Sequence, residues 1–221
     1  ILLAIIGIGV LPLISATGVI SYSISERMDG ALYDQVAAKL VAVREMKHDQ
    51  LSSYFENLKT ITQSIAMNSH TITAMRDFSN GFDLFAEPDD QEQKSIGDYY
   101  KDAYLSHYRQ LEPSIKPEIV TSYFSGLDKS ALFYQAHYIS QNANPLGSKQ
   151  LLNQAAKKGK FAARYDMYHA TYHPDLRQVQ QEFGFYDLFL VNNDGRVVYS
   201  VFKESDFAMS LTNSQLKDSG I

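Results

Sequence analysis

Apolar residues fall along this chain in three rhythms, and each predicts a different element. From Ile1 to Ile24 there is no charge, and as a helix the run ILLAIIGIGVLPLISATGVI is long enough to cross a hydrocarbon core of roughly 30 Å. Gly7, Gly9, Pro12 and Gly18 would weaken a helix in water but are tolerated in lipid, so residues 1–24 are predicted to form a transmembrane helix. A signal peptide is the rival reading, but its apolar region is usually shorter and no small-x-small cleavage site stands out. Beyond Ser25 the charge returns, and Val36, Leu40, Val43, Leu51, Tyr54 or Phe55, Leu58, Ile61 and Ile65 recur at helical spacing. This second rhythm predicts an amphipathic stalk helix over 25–78, continuous with the apolar run and interrupted on its stripe by Lys47 and Gln50. Such a stripe either rests on its own domain or pairs with a second copy as a homodimer.

The third rhythm is that of strands. Leu188, Phe189, Leu190 and Val191 form a short apolar run, Asn193-Asp194-Gly195 supplies residues that tolerate positive φ, and Val197 to Phe202 resumes with β-branched and aromatic residues. A hairpin is therefore predicted over 185–203. On its second strand Val197, Tyr199 and Val201 share one face while Val198, Ser200 and Phe202 share the other, so both faces are expected to be covered. Because a lone hairpin is marginal in water, the sheet is expected to continue past Ile221. Between stalk and hairpin, 80–95 reads as a loop. Helices are predicted within 98–182, over 98–110, 130–141, 149–158 and 161–182, with Pro174 starting a new helix or kinking the last and Gly184 ending it. The fold class is α+β, in three parts: a span (1–24), a stalk (25–78) and a mixed domain (79–221).

Charge and chemistry narrow the function. A net charge of −5 argues against a nucleic-acid footprint, and the lack of cysteine removes thiolate catalysis and Cys zinc sites. No phosphate-cradling loop, dinucleotide fingerprint or nucleophile elbow is present, so binding is favoured over catalysis and no cofactor is expected. His169 and His173 stand four apart, which on a helix puts both imidazoles on one face, as a metal would need. Ala170 stands where a metalloprotease has its Glu, so they are weak ligand candidates, with Asp166 or His137 as possible completions. Polar tips on an aromatic wall make a better case for a small molecule: Tyr186, Asp187, Tyr199 and Lys203 around the hairpin, and Arg164, Tyr168, His169 and His173 on the helix before it. That mixture of cations and rings suits a carboxylate or an amino acid.

The segment from Lys39 to Phe78, with L-x-x-V-R-E-x-K followed by Tyr54-Phe55 and an apolar stripe, resembles the juxtamembrane helix of bacterial methyl-accepting chemotaxis proteins. YISQNANPLGSKQLL, YHATYHPDLR, FGFYDLFLV and GRVVYSVFKESDF are similar to the extracytoplasmic sensor region of those receptors. What the resemblance implies is a periplasmic, Cache-like sensor on a PAS-like antiparallel sheet, anchored in the bacterial inner membrane. A dimer and a signalling module beyond these residues, acting on a cytoplasmic kinase, would follow from it. The same sensor can precede a cyclase, a diguanylate cyclase or a phosphatase. The chain departs from the pattern at Phe185, where a second Tyr is expected, and in TNSQLKDSGI, which lacks a Gly-Pro. The competing readings are a membrane-anchored metal-dependent hydrolase built on His169 and His173, and a structural scaffold that binds no small molecule.

Overall fold

The structure is a computed structural model that describes residues 11–155 and 159–212. The chain divides after Ile65 into two units. The first is dominated by α1 (Leu11–Met67), a single 57-residue helix. Its stripe residues are largely bare, with Leu40, Leu51 and Phe55 each more than half exposed.

The predicted membrane span is corrected here. Among the described residues no helix is long and apolar enough to cross a membrane. The described uncharged part of α1, residues 11–25, covers only about 22 Å at 1.5 Å per residue. It also carries Ser15, Thr17, Ser21 and Ser23, and Thr17 turns its hydroxyl back onto the carbonyl of Leu13 at 2.9 Å. Residues 1–10, the first part of the predicted span, lie outside the described residues. The transmembrane-receptor function, the membrane-anchored hydrolase and the inner-membrane and periplasmic location all rested on that span and are not supported.

The second unit is mostly helical, with one small antiparallel sheet, so the α+β class holds. The predicted stalk to residue 78 is not one helix. Asn68 leaves helical geometry, accepts the N–H of His70 on its side chain at 2.8 Å and caps α2 (Ser69–Phe82). The next helix, α3 (Asp90–Tyr99), begins inside the expected loop because Asp89 and Glu92 form a reciprocal capping box. A π turn over Tyr100–Tyr104 joins α3 to α4 (Leu105–Leu111). Pro117 opens α5 (Pro117–Ser125) at a position where its missing N–H costs nothing. Asp128 caps α6 (Lys129–Gln135), which runs into a second π turn, Ala136–Ser140. Where a helix over 149–158 was expected there is only a 3-10 turn at Lys149–Leu151, and 156–158 lie outside the described residues.

The long helix α7 (Gly159–Phe183) contains Pro174 without ending at it. It stops at Gly184, whose φ of +65 lets its N–H reach Gln181 O while the N–H of Phe185 reaches Gln180 O, a Schellman ending. β1 (Phe189–Val191) and β2 (Val197–Ser200) then pair antiparallel, Leu190 opposite Tyr199, with a bulge before Val191. On its other edge β2 meets the 207–211 segment, since Val197 exchanges hydrogen bonds with Met209 and Ala208. Val197 to Val201 are therefore wholly buried on both faces, as the two-sided pattern anticipated. TNSQLKDSGI, apart from its first residue, lies outside the described residues.

α2 and α7 pack against each other and hold the core of this unit. Gly81 permits the approach, because a Cβ there would stand 3.1 Å from the ring of Tyr168. Phe78, fully buried, lies among the rings of Tyr165, Tyr172 and Tyr199 at centroid distances of 4.7 to 5.9 Å.

Candidate functional site

Tyr165, His169 and His173 recur every four residues on α7 and so share one face, which is turned to the buried strand. Tyr165 donates its hydroxyl proton to Val198 O at 2.7 Å. The two imidazoles stack at 4.4 Å. Their hydrogen bonds fix the tautomers. His173 Nε2 lies 2.8 Å from Gln150 O, so it carries the proton, and Nδ1 accepts from the Tyr199 hydroxyl at 2.7 Å. His169 Nδ1 donates to Asn153 O at 2.7 Å, which leaves its Nε2 as a buried acceptor with no partner. Burial, reinforced by the charge of Lys203, lowers His173 to about 3 and holds His169 well below its ordinary value.

Lys203 is the centre of this cluster. Three residues past β2 the chain takes a left-handed turn, with φ of +58 at Lys203, and the side chain folds into the core, where it is 2% exposed. Its ammonium donates to Ser200 O and lies 4.2 Å from the centroid of the Tyr199 ring, 5.1 Å from Phe207 and 5.9 Å from Tyr138. Those ring faces attract a cation. Among the described residues no carboxylate comes within the 4.0 Å of an ion pair with it. Burial therefore dominates and pulls the ammonium down to about 7, against the weaker upward pull of Asp187. Asp187 is engaged by the backbone, since Oδ1 accepts the N–H groups of Leu188, Val201 and Phe202 at 2.6 to 3.2 Å. Its Oδ2 is buried without a partner, and burial raises the carboxyl.

The fold thus gathers His169, His173, Tyr199 and Lys203, with Asp187 beside them. It does not gather the rest. Tyr186 is 77% exposed and donates to Glu204 at 2.6 Å, Arg164 is exposed, and Tyr168 packs on Gly81. His137 Nε2 lies 2.9 Å from the buried Glu92 carboxyl, and Asp166 accepts from the Tyr138 hydroxyl, so neither is brought to the histidine pair to complete a metal site. Three of the four imidazole nitrogens of His169 and His173 are already hydrogen-bonded, and among the described residues no group of three or more His, Cys, Asp or Glu could hold a metal.

Sequence reasoning missed Gln135 and Asp206. Gln135 accepts from Tyr100 at 2.8 Å and donates to Ser205 O and Phe207 O at 3.0 and 2.7 Å, which fixes the segment after Lys203. Asp206 is raised to about 7, first by burial and then by the neighbouring Asp187 and Glu204. A buried Gln inside a helix and an Asp in a polar loop carry no periodic signal that separates them from solvated residues. Comparison with protein-family models, with curated proteins and with solved structures gives no match.

Proposed function

We propose that the unit from Ala66 onward is a non-catalytic, Cache-like small-molecule-binding domain that takes a carboxylate, free or as part of an amino acid, on Lys203. One observation carries this reading: a buried ammonium with rings around it and, among the described residues, no anion in ion-pair range. A charge in that position is expensive unless something compensates it. A ligand carboxylate at Nζ supplies the missing anion, and a ligand N–H or O–H would satisfy the lone pair of His169 Nε2 or Asp187 Oδ2. Entry requires motion of the segment that follows Lys203. Its two ends, Lys203 and Ala208, both have positive φ, +58 and +67, a strained conformation for L residues that the Gln135 hydrogen bonds to Ser205 O and Phe207 O help to hold and that opening would relieve. The helical layer across a buried hairpin is the arrangement that a Cache-like domain would share, and the stripe of α1 is proposed to pair with a second copy.

Calorimetric titration of the full chain with acetate, dicarboxylates and amino acids tests this. Only the protonated amine attracts the anion, so with Lys203 near 7 the affinity for the ligand falls about tenfold between pH 6 and pH 8. Lys203→Met, checked for folding by circular dichroism, abolishes binding. Binding that ignores both pH and this substitution would overturn the proposal.

A further inference from the structure

A separate cavity lies on the helical side of the same unit, between α3, the first π turn and α5. Its volume is about 70 Å³, and Gly97, Tyr100, Leu105, Pro117, Val120 and Phe124 wall it. The lining is carbon-rich, which favours apolar guests, and the space opens to solvent on one side. Exposed Lys101 and Thr121 stand at its solvent side, where a lysine stem can cover apolar surface while its charge stays in water.

Three features keep this space from collapsing. Tyr100, 1% exposed, is held by its hydroxyl on Gln135 at 2.8 Å, so its ring cannot swing inward. Position 97 has no side chain, and a Cβ there would already stand 3.4 Å from Phe124 Cζ. The π turn at Tyr100–Tyr104 widens the helix at the cavity wall, a distortion that costs regular hydrogen bonding and recurs at functional sites.

We infer that this cavity is a binding site for a compact apolar molecule, of the size of xenon or the alkyl end of a short-chain alcohol. Size sets the class. An engineered apolar cavity of roughly 150 Å³ takes benzene, with six heavy atoms, so about 70 Å³ admits about three. The site is independent of the carboxylate site at Lys203.

The test is nuclear magnetic resonance of the full chain with methyl-labelled Leu and Val, under xenon pressure and with 1-propanol. The methyls of Val120 and Leu105 are expected to shift along one saturable curve, while exposed Leu111 follows only the linear drift of solvent. Gly97→Ala, a favourable change for a helix in its own right, places a methyl against Phe124 and is expected to weaken xenon binding at least fivefold. Val120→Ala enlarges the space and should admit benzene, which the parent refuses. Linear shifts without saturation at Val120 and Leu105, or a Gly97→Ala protein that binds xenon as the parent does, would overturn the inference. If Val120→Ala fails to fold, the Gly97→Ala comparison decides alone.

Discussion

Lys203 makes the stability of this domain rise with pH above neutrality, until the buried tyrosines, whose folded-state values are raised by burial, begin to oppose it near pH 10. In the unfolded chain a lysine keeps its proton to about 10.5, whereas in the folded domain Lys203 releases it near 7. Between those values the unfolded state binds the extra proton, so stability rises with pH, by up to about 1.4 kcal/mol per unit. Below pH 7 both states are protonated and this slope disappears. Asp206, raised to about 7, opposes this slope only until it is ionised in both states, about one unit above neutrality, while buried Lys149, lowered by desolvation, contributes in the same direction as Lys203. Urea denaturation at pH 7.5 and pH 8.5, below the tyrosine range, is expected to show the higher midpoint at pH 8.5, and Lys203→Met to lose most of the difference. An unchanged slope in that variant would mean that the ammonium is solvated. At this scale the sequence was partly legible. Its aromatic and cationic residues near the hairpin were visible, but which of them met was decided by burial: His169 and Lys203 turn inward, while Arg164 and Tyr186 remain in water.

Two glycines with similar backbones separate conformation from crowding. Gly184 and Gly195 have φ of +65 and +74, but a Cβ on Gly184 would meet open space, whereas one on Gly195 would stand 2.8 Å from Thr212 Cγ2. Gly184→Ala is expected to cost about 1 kcal/mol, the backbone penalty alone. Gly195→Ala should cost clearly more, and Thr212→Ala should recover the excess in a double-mutant cycle read by chemical denaturation. Additive single costs would show that the turn, not the contact, sets the penalty. Both glycines were legible in the sequence, one as a helix stop and the other within Asn193-Asp194-Gly195, because turn chemistry is local. The break at Asn68 was not, because an apolar period that continues on both sides of a cap hides it. The expected helix over 149–158 failed for the opposite reason: the Asn142 amide draws this stretch back, donating to Tyr138 O and Lys149 O at 3.0 Å each, and Lys149 Nζ returns to Asn142 O at 2.8 Å.

For the molecule as a whole, α1 is the part least explained by its own fold. A helix of 57 residues would be about 85 Å long at 1.5 Å per residue, and isolated helices draw little stability from propensity alone. If its stripe pairs with a second copy, sedimentation equilibrium should report a dimer, and Leu51→Glu with Phe55→Glu should shift it to monomer by at least tenfold in dissociation constant while leaving the second unit folded. A monomeric parent at micromolar concentration would remove the pairing from the proposal. The α+β class and the covered hairpin were readable because periods of 3.6 and 2 report packing directly. The uncharged N-terminal run misled because a lack of charge was read as apolarity: Ser15, Thr17, Ser21 and Ser23 lower its hydropathy, and among the described residues no helix is long and apolar enough to cross a membrane. Of the two π turns, that at Ala136–Ser140 ends its helix, whereas that at Tyr100–Tyr104 acts as a spatial frameshift. It inserts about one residue ahead of α4, so every side chain there is rotated by roughly 100° from where an uninterrupted count would put it. Excising one residue from the first turn would restore a regular helix and carry Tyr104 away from Ser205, which its hydroxyl now meets at 3.3 Å.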